Sequence, residues 1–160
     1  MQLMLNAGLR CGEVLALKTS DVDWQNGQLI VRQGKGGKDR ALWLNEHVLA
    51  DLRLWKGRRP ALENPLLFTT LKGTPIYPCA VRTMVKRRAA KAEIPKDVHP
   101  HTLRHTYATE LYRACRNLLT VQKALGHSHI NSTLIYTHLV DEDYEAALRN
   151  LEVGFRVSVS

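Results

Sequence analysis

The stretch His99-Pro-His-Thr-Leu-Arg-His-Thr-Tyr-Ala-Thr-Glu-Leu111 decides how this chain reads. Pro100 has the fixed φ and the missing N–H that suit a first helical turn, so a helix is predicted from Pro100 to about Cys115. Leu103, Tyr107, Leu111 and Ala114 recur at helical spacing and form its expected buried stripe. Arg104 borders that stripe and His101 lies just beyond it, about 60° away in projection. His105 stands next to His101 around the helix. Three histidines and an arginine in seven positions (99–105) fit a metal site, a phosphate site or a plain helix start.

Outward from this helix, local signals place the other elements. Residues 1–7 read as the end of a helix stopped by Gly8, and Gly12 to Lys18 as a second short helix. Residues 28–32 (QLIVR) and 40–44 (RALWL) read as strands joined by GKGGKD, a hairpin with a basic tip. Asn45 caps a helix to about Lys56 with Val48, Leu49, Leu52 and Trp55 as its apolar stripe. Leu66 to Thr69 reads as a short strand. Pro78 opens a helix to about Ala92, with Val81, Met84 and Val85 facing the core and the basic residues facing out. Residues 119–125 form a short helix stopped by Gly126. Asn131 or Ser132 caps a segment containing Tyr136, and a last helix covers about 142–151. The expected fold is mainly α with a small antiparallel β-sheet, an α+β class, as one domain over 1–151 with a C-terminal tail at 152–160.

Composition narrows the function. The chain has 160 residues, enough for one domain with a real core. No run is long and apolar enough to span a bilayer, and the start lacks the cationic region of a signal peptide. Cys11, Cys79 and Cys115 are odd in number and widely spaced, which argues against a disulfide framework and fits a reducing compartment. With 23 Lys and Arg against 15 Asp and Glu, the formal charge is +8, a balance that favours an anionic partner such as nucleic acid. The cations cluster: Arg32, Lys35, Lys38 and Arg40 around the hairpin turn, Arg82, Lys86, Arg87, Arg88 and Lys91 on one helix, and Arg58 with Arg59. Any one cluster alone reads as a solvated face. Three together favour a surface that follows phosphates.

The metal reading weakens on inspection. H-E-x-x-H is absent, the cysteines lack C-x-x-C spacing, and His127-x-His129 is one weak pair. The phosphate reading gains. GLRCGE (8–13) places Arg10 just after a helix-ending glycine, with Glu13 in reach to orient it. LGHS (125–128) places His127 after a glycine cap, and NSTLIYTH (131–138) carries Tyr136.

Together, Arg10 in GLRCGE, Lys35 in GKGGK, His101 and Arg104 in HPHTLRH, His127 in LGHS and Tyr136 in IYTH resemble, in order and spacing, the tyrosine recombinases, the phage-integrase-like site-specific recombinases that include the Xer and integron types. The resemblance runs from Gly8 to about Leu139. It implies that the Tyr136 hydroxyl attacks a DNA phosphodiester to give a 3′-phosphotyrosyl link and a free 5′-hydroxyl. It further implies that Arg10 and Arg104 clamp the non-bridging oxygens, His127 donates to the same phosphate, Lys35 protonates the leaving 5′-oxygen (Lys38 is the nearby alternative, and spacing from Arg10 favours Lys35) and His101 serves the tyrosine as acid/base partner. Glu13 would brace the first arginine and His105 would have a structural role. Arg32, Lys38, Arg40, Arg82, Lys86, Arg87 and Arg88 are the expected DNA contacts.

The resemblance implies no cofactor and no metal. It implies double-stranded DNA and other recombinase protomers as partners, tetrameric on paired sites, with no membrane, in a prokaryotic cytoplasm at the nucleoid. Family members usually carry an additional N-terminal DNA-binding domain, so a catalytic-domain fragment is expected. The residues leave three rivals open: a type IB topoisomerase-like enzyme, a DNA-binding module without catalysis, and a metal-dependent nuclease.

Overall fold

A computed structural model describes residues 1–32, 39–60 and 64–126. Six α-helices, a short 3-10 helix at Thr19–Asp21 and one hairpin make up this part: α1 Gln2–Asn6, α2 Cys11–Ala16, β1 Gln28–Val31, β2 Arg40–Trp43, α3 Glu46–Arg58, α4 Pro78–Lys91, α5 Pro100–Cys115 and α6 Leu118–Leu125. The backbone divides into a unit Met1–Ser128 and a unit His129–Ser160. The second unit, with Tyr136, the expected 142–151 helix and the tail, lies outside the described residues.

Local chemistry sets the boundaries. Gly8 ends the first helical segment at φ +65° and Gly126 ends α6 at φ +62°, both in the left-handed region that favours glycine. Asn45 accepts from the Val48 N–H at 2.9 Å and so caps α3. Pro78 and Pro100 each open a helix. The strands pair antiparallel in the register Gln28 to Trp43 and Val31 to Arg40.

The core lies where α1, α2, α3 and α4 meet the inner face of β1, with Leu9, Leu29, Leu67 and Val85 wholly buried. Leu29 and Val31 alternate inward along β1, the period of two expected of a half-buried strand.

Two expectations are corrected. Leu66–Thr69 is not a strand. Single bridges tie Lys18 to Leu66 and Thr69 to Pro75, too few to make a ladder. The buried face of α5 is rotated from the predicted stripe: Leu103, Arg104, Ala108 and Tyr112 are buried, whereas Ala114 is exposed and Tyr107 and Leu111 are half-buried. Apolar periodicity places an arginine at the margin of a buried face. Here the guanidinium has partners inside, so Arg104 itself belongs to that face and carries Ala108 and Tyr112 inward at i+4 and i+8.

Candidate functional site

Arg104 is the inner end of the site. Only 4% of its side chain is exposed. Its Nη1 donates to the Gly8 carbonyl and its Nη2 to the Leu125 carbonyl at 2.7 Å. Both acceptors lie at glycine-stopped helix ends, where main-chain oxygens lack partners within the helix and carry the negative end of the peptide dipoles. The chain therefore presents two carbonyl-rich termini to one cation, and the short loop after Gly8 leads directly to Arg10.

Glu13 is the hub of the arginines. It occupies the third position of α2 and accepts the Arg10 main-chain N–H at 2.7 Å, closing the helix start from the side-chain end. Its oxygens also take the Arg10 Nη1 at 2.9 Å and both Nη atoms of Arg40 at 2.9 Å each. Arg104 Nη1 lies 3.7 Å away. The Glu13 side chain is 9% exposed. Burial alone pushes its carboxyl pKa up, but the Arg40 and Arg10 hydrogen bonds and the nearby cations outweigh this and hold it at about 2. It is ionised at every physiological pH. Three guanidiniums share this one carboxylate, so the cluster keeps a net positive charge.

A cleft of about 310 Å³ opens beside this cluster, lined by Arg10, Cys11, Arg82, His99, Pro100, His101 and Arg104. Its lining holds three guanidiniums and two imidazoles and no carboxylate. The Arg10 side chain is 30% exposed, held by Glu13 yet open to the cleft. The His101 imidazole pKa is lowered, first by desolvation and then by the charges of Arg104, His99, His105 and Arg10, all of which favour the neutral ring. Burial pushes the Cys11 thiol pKa up against the pull of Arg82, which favours its protonated form. A pocket so charged suits a tetrahedral oxyanion that accepts planar bidentate donors.

The structure thus brings Arg10, Glu13, His101 and Arg104 together. His105 stands exposed on the next turn of α5. Lys35, Lys38, His127 and Tyr136 lie outside the described residues. Of the expected DNA contacts, Arg82, Lys86, Arg87 and Arg88 are exposed on α4, with Lys86 3.5 Å from Asp97. Arg32 is half-exposed and donates to the buried Asp21 at 2.7 Å. Arg40 is a correction. Its side chain is 10% exposed and turned inward onto Glu13, because that buried carboxylate offers it two oxygens in the geometry of its fork.

The sequence leaves one residue of the site unassigned and places another only coarsely. His99, unassigned there, caps α5: its Nδ1 accepts the Thr102 N–H at 3.2 Å, and its ring stacks 6.4 Å from His101. Its place directly before a proline at the first helical position was the available signal. Arg82 was expected on a DNA-facing surface in general; its place in the cleft wall follows from how α4 packs, which no local pattern records. Among the described residues, no group of three or more His, Cys, Asp or Glu side chains could hold a metal ion, and no helix is long and apolar enough to cross a membrane.

Residues 1–143 match the model of the phage integrase family. A tyrosine recombinase of Thermosipho africanus is 39% identical over 152 residues, which cover 94% of this chain and 52% of that protein. The crystal structure of XerA recombinase superimposes with a TM-score of 0.82 at 33% identity, covering 96% of this chain and 57% of the other. The XerH site-specific recombinase bound to palindromic difH substrate, a post-cleavage complex, gives 0.76 at 32% identity, covering 93% and 44%. The chain spans about half the length of these relatives. With a mainly helical body, a small antiparallel sheet and a cationic cleft at the paired arginines, the chain belongs to the tyrosine recombinase (phage integrase) family and corresponds to its catalytic domain.

Proposed function

We propose that this chain carries out site-specific DNA recombination by cleaving and rejoining strands through a 3′-phosphotyrosyl intermediate. The observation that carries the reading is the pair of guanidiniums, Arg10 and Arg104, held by one carboxylate at the edge of a cleft that also holds His101. The scissile phosphate binds there, its non-bridging oxygens facing Arg10 and Arg104, with His127 as a further donor.

The Tyr136 oxygen attacks phosphorus. One P–O bond forms to the tyrosine and the P–O bond to the 5′-carbon oxygen breaks. His101, whose neutral form its surroundings favour, takes the phenol proton, and Lys35 gives a proton to the departing oxygen. A phenol with a pKa of about 10 needs such help. Preorganised cations around the phosphorane stabilise its charge by roughly 3 kcal/mol each. The ester energy stays in the tyrosyl link, so a 5′-hydroxyl from a second strand reverses the step without ATP or any cofactor. The exposed Arg82, Lys86, Arg87 and Arg88 of α4 contact the duplex backbone, and other protomers, up to a tetramer on paired sites, supply the second strand. The setting is the cytoplasm of a prokaryote, at its chromosome.

A nicked duplex drawn from DNA flanking the gene tests this, because cleavage next to a nick releases a short strand and traps the adduct. A covalent protein–DNA product that disappears in Tyr136→Phe is expected. Salt-sensitive binding with no adduct would leave a DNA-binding module, and cleavage abolished by chelator but retained in Tyr136→Phe would mean a metal-dependent nuclease.

A further inference from the structure

Arg40 opens β2, directly after the basic hairpin tip, and does not face outward. Its two Nη atoms donate one to each oxygen of Glu13, at 2.9 Å each. Its Nε donates to the Ala124 carbonyl at 3.2 Å, in the last turn of α6. Its aliphatic stem lies over Gly126, where a Cβ would come within 2.9 Å of the Arg40 Cδ. One side chain thereby ties together the start of α2, the base of the hairpin loop that carries Lys35, and the end of α6, from which the chain continues to His127.

We propose that Arg40 is a positioning residue of the reaction: by holding both oxygens of Glu13 it fixes the plane of that carboxylate, and so the direction in which Arg10 offers its guanidinium to the cleft. The proposal rests on the reading of the cleft given above. The physical argument is one of degrees of freedom. Arg10 alone gives each Glu13 oxygen a single bond, from its main-chain N–H and from its Nη1, which leaves the carboxylate a limited rotation, and the Arg10 head with it. A planar fork on the opposite side removes that rotation, which a lysine, a point charge, does only in part. A misplacement of about 1 Å in a phosphate clamp costs on the order of a hundredfold in rate without weakening the bulk of a DNA interface.

The test compares wild type, Arg40→Gln and Arg40→Lys in the full chain, with Arg53→Gln on α3 as a surface control. Two quantities are read: adduct formation on the nicked duplex at saturating DNA with the DNA Kd beside it, and the Arg10 Nε–Hε resonance by ¹⁵N NMR. Arg40→Gln is expected to lower the cleavage rate by on the order of a hundredfold, with Kd within about threefold and an unchanged salt slope. Arg40→Lys should fall between it and wild type, and it carries the test if Arg40→Gln does not fold.

The Arg10 resonance should be sharp in wild type and in Arg53→Gln and broadened or lost in Arg40→Gln. A weakened Kd with a shallower salt slope and full cleavage at saturation would make Arg40 a DNA contact and overturn the proposal. So would an unchanged Arg10 resonance. If wild type itself forms no adduct, the recombinase reading fails while the NMR arm still decides for or against Arg40.

Discussion

Arg104 Nη1 donates to the main-chain oxygen of Gly8, a residue 96 positions earlier, while its Nη2 reaches Leu125, 21 positions later. A residue that resembles a catalytic arginine is therefore also the tie between the first and last described helices. Breaking a buried, hydrogen-bonded charge leaves its partners unsatisfied and costs about 3 kcal/mol or more. Arg104→Met is expected to destabilise by that amount in urea denaturation. An unchanged midpoint would show that the two carbonyls do not depend on it.

Gly8 is fixed by two constraints. Its φ of +65° costs an alanine about 1–2 kcal/mol, and a Cβ there would overlap the Tyr107 ring. Gly8→Ala should therefore destabilise by more than about 2 kcal/mol. The same substitution should cost less in a Tyr107→Ala background, because only the overlap with the ring is relieved there. Equal costs in both backgrounds, read from denaturation midpoints, would contradict the close approach.

Both glycines were legible in advance because a helix stop is a local signal, as are the cap at Asn45 and the prolines at 78 and 100. The hairpin was legible for the same reason, its two short runs flanking a glycine-rich turn. What the sequence hid is non-local. Nothing near Arg40 announces that Glu13, 27 positions earlier, takes its guanidinium, so its charge read as surface. Apolar patterning gives a buried arginine no weight and so sets Arg104 at the border of a stripe, whereas the true face of α5 is rotated toward Ala108 and Tyr112.

Glu13 makes stability depend on acid. In the unfolded chain its carboxyl titrates near 4.5, in the folded chain at about 2. Between these values the unfolded state binds more protons, so stability rises with pH there. The contribution is fully present above about pH 5 and lost as pH falls toward 2, and it is worth about 3 kcal/mol. Stability measured from pH 7 to 2 should fall less steeply in Glu13→Gln. Parallel curves would remove Glu13 from the acid transition.

His101 should titrate below the ordinary imidazole value, since burial first and then Arg104, His99, His105 and Arg10 all disfavour its cation. His99→Asn keeps an N-cap acceptor at the start of α5 and removes one of those repulsions. The His101 midpoint, followed by NMR of the ring, should move up in His99→Asn with little change in thermal stability. A midpoint that stays in place would mean that the stacked His99 ring has no electrical effect on its neighbour.

The central claim is that Arg10 and Arg104 face a phosphate and answer its charge. The most direct measurement is the cleavage rate of Arg10→Ala on two otherwise identical nicked duplexes, one with an ordinary scissile phosphodiester and one with a neutral methylphosphonate there. A large loss on the phosphodiester, largely recovered on the uncharged linkage, is the predicted result. An equal loss on both would contradict the account, because Arg10 would then not be acting on the charge of the scissile group.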